Sequence, residues 1–86
     1  MRLQYTQRFE RAYISLEASD AARVAKAIHL LAGDSRHPGL RVKKVQGTSD
    51  IWEARASHSL RLTFELHDDL LILRNVGPHD RVLKNP

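Results

Sequence analysis

The chain has 86 residues, which is enough for one small domain but too few for a second domain that binds a cofactor. Hydrophobic residues make up 42% and charged residues 28% of the chain, an ordinary mixture for a folded protein. It contains no cysteine, which excludes disulfide scaffolds, thiol nucleophiles and cysteine-ligated zinc. No apolar run approaches the roughly 20 residues that cross a bilayer, and no apolar signal segment follows Met1. We therefore expect a single soluble domain over residues 1–86, located in the cytoplasm.

The charge is basic and unevenly distributed. Fourteen Lys and Arg against ten Asp and Glu give a net charge of +4. Residues 36–86 hold nine of these cations and six of the acids. Such a surplus favours a polyanionic partner, either a nucleic acid or an acidic protein. A basic surface that serves solubility alone is the alternative.

A first helix is predicted after a short extended segment over residues 2–6. Phe9, Tyr13 and Leu16 recur at the spacing of one helical face. Thr6 is the expected N-cap of this helix. The sequence leaves open whether the extended segment before this helix forms a first strand.

A second helix is predicted to follow within a few residues. Ser19 or Asp20 is its expected N-cap, and Gly33 is expected to end it. Its predicted buried stripe consists of Ala21, Val24, Ala25, Ile28 and Leu31. Because the link between the two helices is short, they should form an antiparallel hairpin.

The hydrophobic period changes from 3.6 to 2 after the first 39 residues, which predicts a sheet. One strand is expected from Leu40 toward Gly47, and a second over residues 51–56. The clearest strand runs from Leu60 to Leu66, and a turn at Asp68-Asp69 leads into a last strand over residues 70–76. The sequence thus predicts an α+β fold in which the helix hairpin packs on a twisted, mostly antiparallel, four-stranded sheet.

Two arginines are predicted to be neighbours on the sheet. If Leu60, Leu62, Phe64 and Leu66 pack on the helices, Arg61 lies on the opposite, open face, and antiparallel pairing places Arg55 beside it. Like charges opposed on a sheet are destabilising, so this pair indicates a polyanion between the arginines. The alternative is a solvated face that Glu53 and Glu65 neutralise.

His79 follows Gly77-Pro78 just after the last strand, with Asp80 beside it. Histidine titrates near neutral pH and can donate a proton to a leaving alkoxide. A surface histidine in a terminal loop is the alternative. The remaining histidines show no metal-ligand spacing, so we expect no metal and no cofactor.

Lys43-Lys44 adds a basic segment ahead of the arginine pair. It is either part of a polyanion-binding surface or a charged edge strand that discourages aggregation. No P-loop, Gly-rich dinucleotide motif or serine-nucleophile motif is present.

The order of elements and four motifs resemble the RelE/ParE toxin superfamily of bacterial and archaeal toxin–antitoxin modules. The motifs lie in residues 38–47, in Ile51-Trp52-Glu53-Ala54-Arg55, in Leu60-Arg61-Leu62-Thr63-Phe64, and in Val76-Gly77-Pro78-His79-Asp80. The resemblance covers nearly the whole chain, and the combination of the Trp…Arg…Arg-Leu spacing with the terminal Gly-x-His is its most specific part.

The resemblance implies a microbial-RNase-like toxin whose concave sheet face cuts mRNA without metal, typically in the ribosomal decoding site. Arg61 matches the arginine that holds the scissile phosphate, Arg55 falls on a position that is often basic, and His79 matches the C-terminal histidine of one branch. The chain departs from the pattern at Trp52 and Ala54, where some members place catalytic lysines, and it lacks the C-terminal tyrosine of other branches.

The general base is therefore left open. Glu53, Glu65 or Lys44 would take the proton of the 2′-hydroxyl, and we place Glu65 and Lys44 first. The predicted catalytic residues are His79, Arg61, Arg55 and Glu65, and the predicted RNA-binding residues are Arg41, Lys43, Lys44 and Arg81.

The expected partners are mRNA, the ribosome and a cognate antitoxin whose acidic segment occupies an apolar groove between the helix hairpin and the sheet. DNA is expected only indirectly, through the toxin–antitoxin complex, and no membrane is expected. Two other functions stay open at this point. One is a ParE-like, non-enzymatic inhibitor of DNA gyrase, and the other is a non-catalytic module that only binds an antitoxin.

Overall fold

A computed structural model describes all 86 residues and shows three α-helices and one mixed sheet. The α+β class is confirmed. In chain order the elements are β1 (Arg2–Tyr5), α1 (Gln7–Ile14), α2 (Ala18–Gly33), a 3₁₀ turn (Pro38–Leu40), β2 (Lys43–Lys44), β3 (Trp52–Arg55), β4 (Leu60–His67), β5 (Leu70–Pro78) and α3 (His79–Lys84).

The sheet has five strands in the order β1-β5-β4-β3-β2. Strands β2 to β5 pair antiparallel with their neighbours, whereas β1 lies parallel to β5, with Arg2 opposite Leu70 and Tyr5 opposite Leu73. The prediction of four strands is therefore wrong. The optional first strand over residues 2–6 is confirmed as β1, and it is the fifth strand of the sheet; its four side chains are all exposed.

The strand predicted from Leu40 toward Gly47 is reduced to Lys43 and Lys44. Leu40 instead ends the 3₁₀ turn, and Arg41 after it has a left-handed backbone with φ 48°. That conformation interrupts an extended chain, because a non-glycine residue rarely adopts it within a strand.

The helix hairpin forms as predicted, with corrections at α2. The Phe9 N–H donates to Thr6 Oγ1 at 3.1 Å, which confirms the N-cap of α1. Helix α2 begins at Ala18, with Glu17 at the cap, rather than after Ser19 or Asp20. Ala25 of the predicted stripe is exposed, and Ala27 is buried in its place.

The core lies between the helices and one face of the sheet, called the inner face. Leu60, Leu62 and Phe64 of β4 all point into it and are at most 4% exposed. Leu66 extends beyond the helices and is 38% exposed, so its predicted packing on the hairpin is wrong. Further core residues are Phe9, Val24, Ile28, Leu31, Leu40, Ala54, Leu71, Leu73 and Val76.

The opposite, outer face of the sheet is not open, contrary to the prediction. Helix α3 folds back against β4 and β5 and buries Val82 completely. The Thr63 hydroxyl donates to the Pro86 carbonyl at 2.8 Å, and Thr63 is 0% exposed. The segment after β5 therefore divides the outer face into two ends.

Candidate nucleic-acid interface and active site

Arg61 lies near the β3–β4 turn, and the backbone of that turn holds its guanidinium. Nη1 donates to the carbonyl oxygens of Ser57, His58 and Leu60 at 2.9, 3.2 and 3.0 Å. Nε lies 4.0 Å from a carboxylate oxygen of Glu53, which is beyond hydrogen-bond distance. Nη2 donates to no group of the protein, so an oriented guanidinium keeps donors for a ligand.

Arg55 pairs directly with Arg61 across β3 and β4, as predicted. No carboxylate lies within 4.0 Å of Arg55. Arg55 is the last residue of β3 and also borders a cavity of about 240 Å³ with Arg23 and Lys26 of α2. It therefore marks the margin of the sheet, where cations of the outer face and of α2 approach each other.

Arg81 joins this end of the outer face because residue 77 is a glycine. Gly77 is the β5 partner of Arg61. A Cβ at residue 77 would lie 2.6 Å from Arg81 Nη2, and the backbone has φ 154°, which side chains rarely adopt. The Arg81 guanidinium thus occupies the space of the missing side chain at the strand position opposite Arg61. The motif Gly77-Pro78-His79 signalled a turn but not this close approach.

His79 is the first residue of α3 rather than part of a loop. Its N–H donates to the Ser59 carbonyl at 3.0 Å, in the same turn that holds Arg61. Its ring is 46% exposed, with Nδ1 3.1 Å from an Asp80 carboxylate oxygen. Nε2 makes no hydrogen bond within the protein. Arg55, Arg61, Arg81 and His79 together are called the basic cluster.

Glu53 is the residue of this region whose environment the sequence did not reveal. Strand parity placed it on the outer face beside Arg61, but its burial to 4% exposure follows from the helix that was not predicted. It lines a cavity of about 570 Å³, together with Lys43, Gln46 and Leu83 of α3.

Glu65 lies apart from the basic cluster, four residues farther along β4. It contacts His67 Nε2 at 2.9 Å and forms an ion pair with Arg74. The hydrogen bond from His67 lowers the Glu65 pKa below its ordinary value, burial opposes this, and Arg74 lowers the pKa further. Glu65, His67 and Arg74 are called the neutral cluster. The structure does not bring Glu65 together with the other predicted catalytic residues.

The predicted RNA-binding residues fall on both faces of the sheet. Lys43 pairs with Glu53 on the outer face, whereas Lys44 pairs with Trp52 and places Nζ 5.3 Å from the centre of its ring. Arg41 borders an inner-side cavity of about 480 Å³ with Trp52. Only Lys43 and Arg81 of this set thus lie on the outer face with the basic cluster.

An apolar groove of about 630 Å³ runs between β1 and the two helices. Its lining includes Leu3, Tyr5 and Ile14, which are 41%, 42% and 79% exposed. The outer edge of β1 has no neighbouring strand. No helix is long and apolar enough to cross a membrane. No group of three or more His, Asp or Glu side chains is arranged to hold a metal ion.

Comparison with solved structures gives close matches over nearly the whole chain. YafQ from Escherichia coli strain BL21(DE3) superposes with a TM-score of 0.81 at 16% identity, over 95% of this chain and 98% of that one. The chain has the RelE/ParE toxin fold. RelE of the archaeal RelE–RelB complex from Pyrococcus horikoshii OT3 matches with a TM-score of 0.73 at 21% identity, covering 93% of this chain and 96% of RelE. A YoeB/ParE toxin from Agrobacterium tumefaciens matches with a TM-score of 0.79 at 14% identity, over 92% of this chain and 99% of that one.

The resemblance found in the sequence is thereby confirmed at the level of the fold. No protein-family model matches the chain, and neither does any curated protein. RelE/ParE folds at this level of identity do not share a function by fold alone. The function must therefore be argued from the basic cluster itself.

Proposed function

We propose that this protein is the toxin of a type II toxin–antitoxin module, a metal-independent endoribonuclease that cleaves mRNA on the ribosome and inhibits translation. The observation that carries the proposal is the basic cluster. Three arginines and a half-exposed histidine lie at the same end of the sheet, on β3, β4 and α3, and no carboxylate is within hydrogen-bond distance of the arginines, Glu53 lying 4.0 Å from Arg61. A polyanion is the ligand that such a surface favours.

RNA cleavage fits the cluster because RNA supplies its own nucleophile, the 2′-hydroxyl. The protein must stabilise the charge that develops on the phosphate and must protonate the leaving 5′-oxygen. Arg61 suits the first task, since its guanidinium is already oriented by three carbonyls. His79 suits the second, because its ring is accessible and bears a nitrogen that does not face Asp80.

The proposal includes an antitoxin as partner. E. coli YafQ and archaeal RelE, which share this fold, were solved in complexes with DinJ and RelB. In the present chain, the groove beside β1 offers apolar side chains and an unpaired strand edge, which together suit an extended peptide that adds to the sheet. An acidic segment is favoured by the net charge of +4. Calorimetric titration with the product of the neighbouring small open reading frame should show tight binding that salt weakens, and absence of binding would contradict the partner.

Inducible expression followed by mapping of mRNA 5′ ends tests the proposed function. Wild-type protein should arrest growth and produce new 5′ ends within translated frames, and His79→Gln should produce none. Double-strand DNA breaks without cleaved mRNA would instead identify a gyrase inhibitor. Absence of growth arrest would indicate a module that only binds an antitoxin.

A further inference from the structure

Glu53 is a buried carboxylate without a hydrogen-bond donor. Its side chain is 5% exposed, and the one cationic group within 4.0 Å is Arg61 Nε. No fully buried side-chain polar atom in the protein lacks a partner, so the carboxylate oxygens of Glu53 must retain contact with solvent. A buried carboxylate normally accepts several hydrogen bonds, because leaving it unpaired is costly.

That remaining contact is with the cavity of about 570 Å³ that Glu53 lines. Leu83 of α3 and Gln46 of the β2–β3 turn also line this cavity. Lys43, the strand partner of Glu53, adds a cation to its wall. The cavity therefore combines an apolar wall, an amide, a cation and an unpaired carboxylate, and its size suits a nucleotide.

The Arg61 guanidinium links Glu53 to the turn that anchors His79. Nε faces Glu53, while Nη1 bonds the turn whose Ser59 carbonyl accepts the His79 N–H. A phosphate bound to Arg61 would therefore have the Glu53 carboxylate on the Nε side, and the backbone that anchors His79 lies on the Nη1 side. In-line displacement at phosphorus needs a base and an acid on opposite sides, because the attacking and leaving oxygens lie opposite each other.

We propose that Glu53 is the catalytic residue that takes the proton of the attacking 2′-hydroxyl, and that the cavity beside it holds the nucleotide which carries that hydroxyl. The inference rests on the proposed ribonuclease function. In the step, the 2′-hydroxyl proton passes to a Glu53 carboxylate oxygen as the bond from O2′ to phosphorus forms. The bond from phosphorus to O5′ breaks, and His79 donates its proton to O5′. The products are a 2′,3′-cyclic phosphate and a 5′-hydroxyl.

The two other candidates for the base are placed less well. Glu65 already accepts from His67 and Arg74, and it belongs to the other end of the outer face. Lys44 also borders the cavity, but its Nζ lies over the Trp52 ring, 5.3 Å from the ring centre. Glu53 is the carboxylate next to Arg61, and it accepts no hydrogen bond.

An RNA with sulfur in place of the scissile 5′-oxygen separates the two proton transfers, since a thiolate leaves without being protonated. Glu53→Gln should lower cleavage of ordinary RNA by about 10²–10⁴-fold with RNA affinity nearly unchanged. The sulfur substrate should restore cleavage by His79→Gln but not by Glu53→Gln. Glu53→Asp, which keeps the charge and shortens the side chain, should retain part of the rate. Glu17→Gln, an exposed acid at the start of α2, is the matched control and should cleave normally.

A double-mutant cycle with Arg61→Ala distinguishes a base from a residue that only positions Arg61. If Glu53 is the base, Glu53→Gln should lower the cleavage rate further in the Arg61→Ala background. If Glu53 only positions Arg61, Glu53→Gln should have no further effect in that background. Full cleavage by Glu53→Gln, rescue of Glu53→Gln by the sulfur substrate, or absence of any effect in the Arg61→Ala background would each overturn the role of Glu53. If the wild-type protein cleaves neither free RNA nor mRNA in a translating extract, it is the proposed function that fails.

Discussion

The two ends of the outer face contain the same kinds of side chain in opposite electrostatic states. At one end, Glu65 forms an ion pair with Arg74 and a hydrogen bond with His67, so the carboxylate is satisfied within the protein. At the other, backbone carbonyls orient the Arg61 guanidinium without neutralising its charge, and Glu53 lies 4.0 Å from it, beyond hydrogen-bond distance. The basic cluster is therefore prepared for an anion that comes from outside, whereas the neutral cluster is complete within the protein.

The comparison shows why an arginine on a sheet is not by itself a binding residue. The informative feature is which of its donors lack an acceptor and whether a carboxylate is close. Arg74 forms an ion pair with Glu65, and its Nε donates to the Pro86 carbonyl at 3.2 Å. The second contact fastens the segment after α3 to the sheet. Arg74 thus acts in the fold, and Arg61 is available for chemistry.

The largest expected effect comes from exchanging a histidine at each end. His79→Gln should lower RNA cleavage by about 10²–10⁴-fold while leaving folding, antitoxin binding and RNA affinity nearly unchanged, because glutamine donates hydrogen bonds but no proton. His67→Gln at the neutral cluster should cleave at the wild-type rate. Single-turnover cleavage assays on both variants measure this difference. Equal cleavage rates for the two variants would contradict the assignment of His79 as the proton donor.

Arg61→Ala should lower cleavage by about 10²–10³-fold, because it removes the oriented positive charge from the phosphate site. Its effect on the free energy of unfolding should be about 1–3 kcal/mol, since the hydrogen bonds to the turn carbonyls and the contact with the buried Glu53 carboxylate are lost. Arg61→Lys is the matched control and should cleave at an intermediate rate, because lysine keeps the charge but not the fork of donors. If Arg61→Ala unfolds the protein or leaves cleavage intact in denaturation and cleavage assays, Arg61 is structural.

Gly77→Ala should destabilise the protein by about 1–3 kcal/mol and weaken RNA binding. The new methyl group would meet Arg81 Nη2 at 2.6 Å on a backbone with φ 154°, so the Arg81 guanidinium must leave its place beside Arg61. Gly33→Ala is the control, because a Cβ there meets no atom within 4 Å. Urea denaturation should show lower stability for Gly77→Ala and not for Gly33→Ala, and RNA titration should show weaker RNA binding for Gly77→Ala only.

The smallest effect is expected at the neutral cluster. His67 and Arg74 hold the Glu65 pKa below its ordinary value of 4.5. Since the folded pKa is depressed, the stabilisation is fully present above the unfolded pKa and is lost as pH falls through the folded pKa. Glu65→Gln should therefore cost about 1 kcal/mol at pH 7 and less than that near pH 3. Urea denaturation at the two pH values checks this, and a cost that does not change with pH would contradict it.

Strands β3 to β5 and the arginine pair could be predicted because they depend on local alternation. Leu60, Leu62 and Phe64 fix the parity of β4, and parity together with antiparallel pairing places Arg55 opposite Arg61. The same reasoning placed His79 near the end of the sheet. These features require only the period of two along a strand and a short turn.

Helix α3 could not be predicted in the same way, and the burial of Glu53 was missed with it. Residues 79–84 contain two apolar side chains, Val82 and Leu83, so the helix has no periodic stripe of its own and depends on packing against the sheet. Once α3 covers the outer face, Thr63 and Glu53 change from exposed to buried. The position of Arg81 over Gly77 depends on the same tertiary contact.

The chemistry of the RNA ends, determined after incubation with purified protein in the presence of EDTA, tests the central claim most directly. If the basic cluster catalyses attack by the 2′-hydroxyl, wild-type protein should yield 2′,3′-cyclic phosphate and 5′-hydroxyl ends, and the chelator should have no effect. On free RNA and on mRNA in a translating extract, His79→Gln should yield neither end. Products with 3′-hydroxyl and 5′-phosphate ends, loss of activity in EDTA, or full cleavage by His79→Gln would contradict the account.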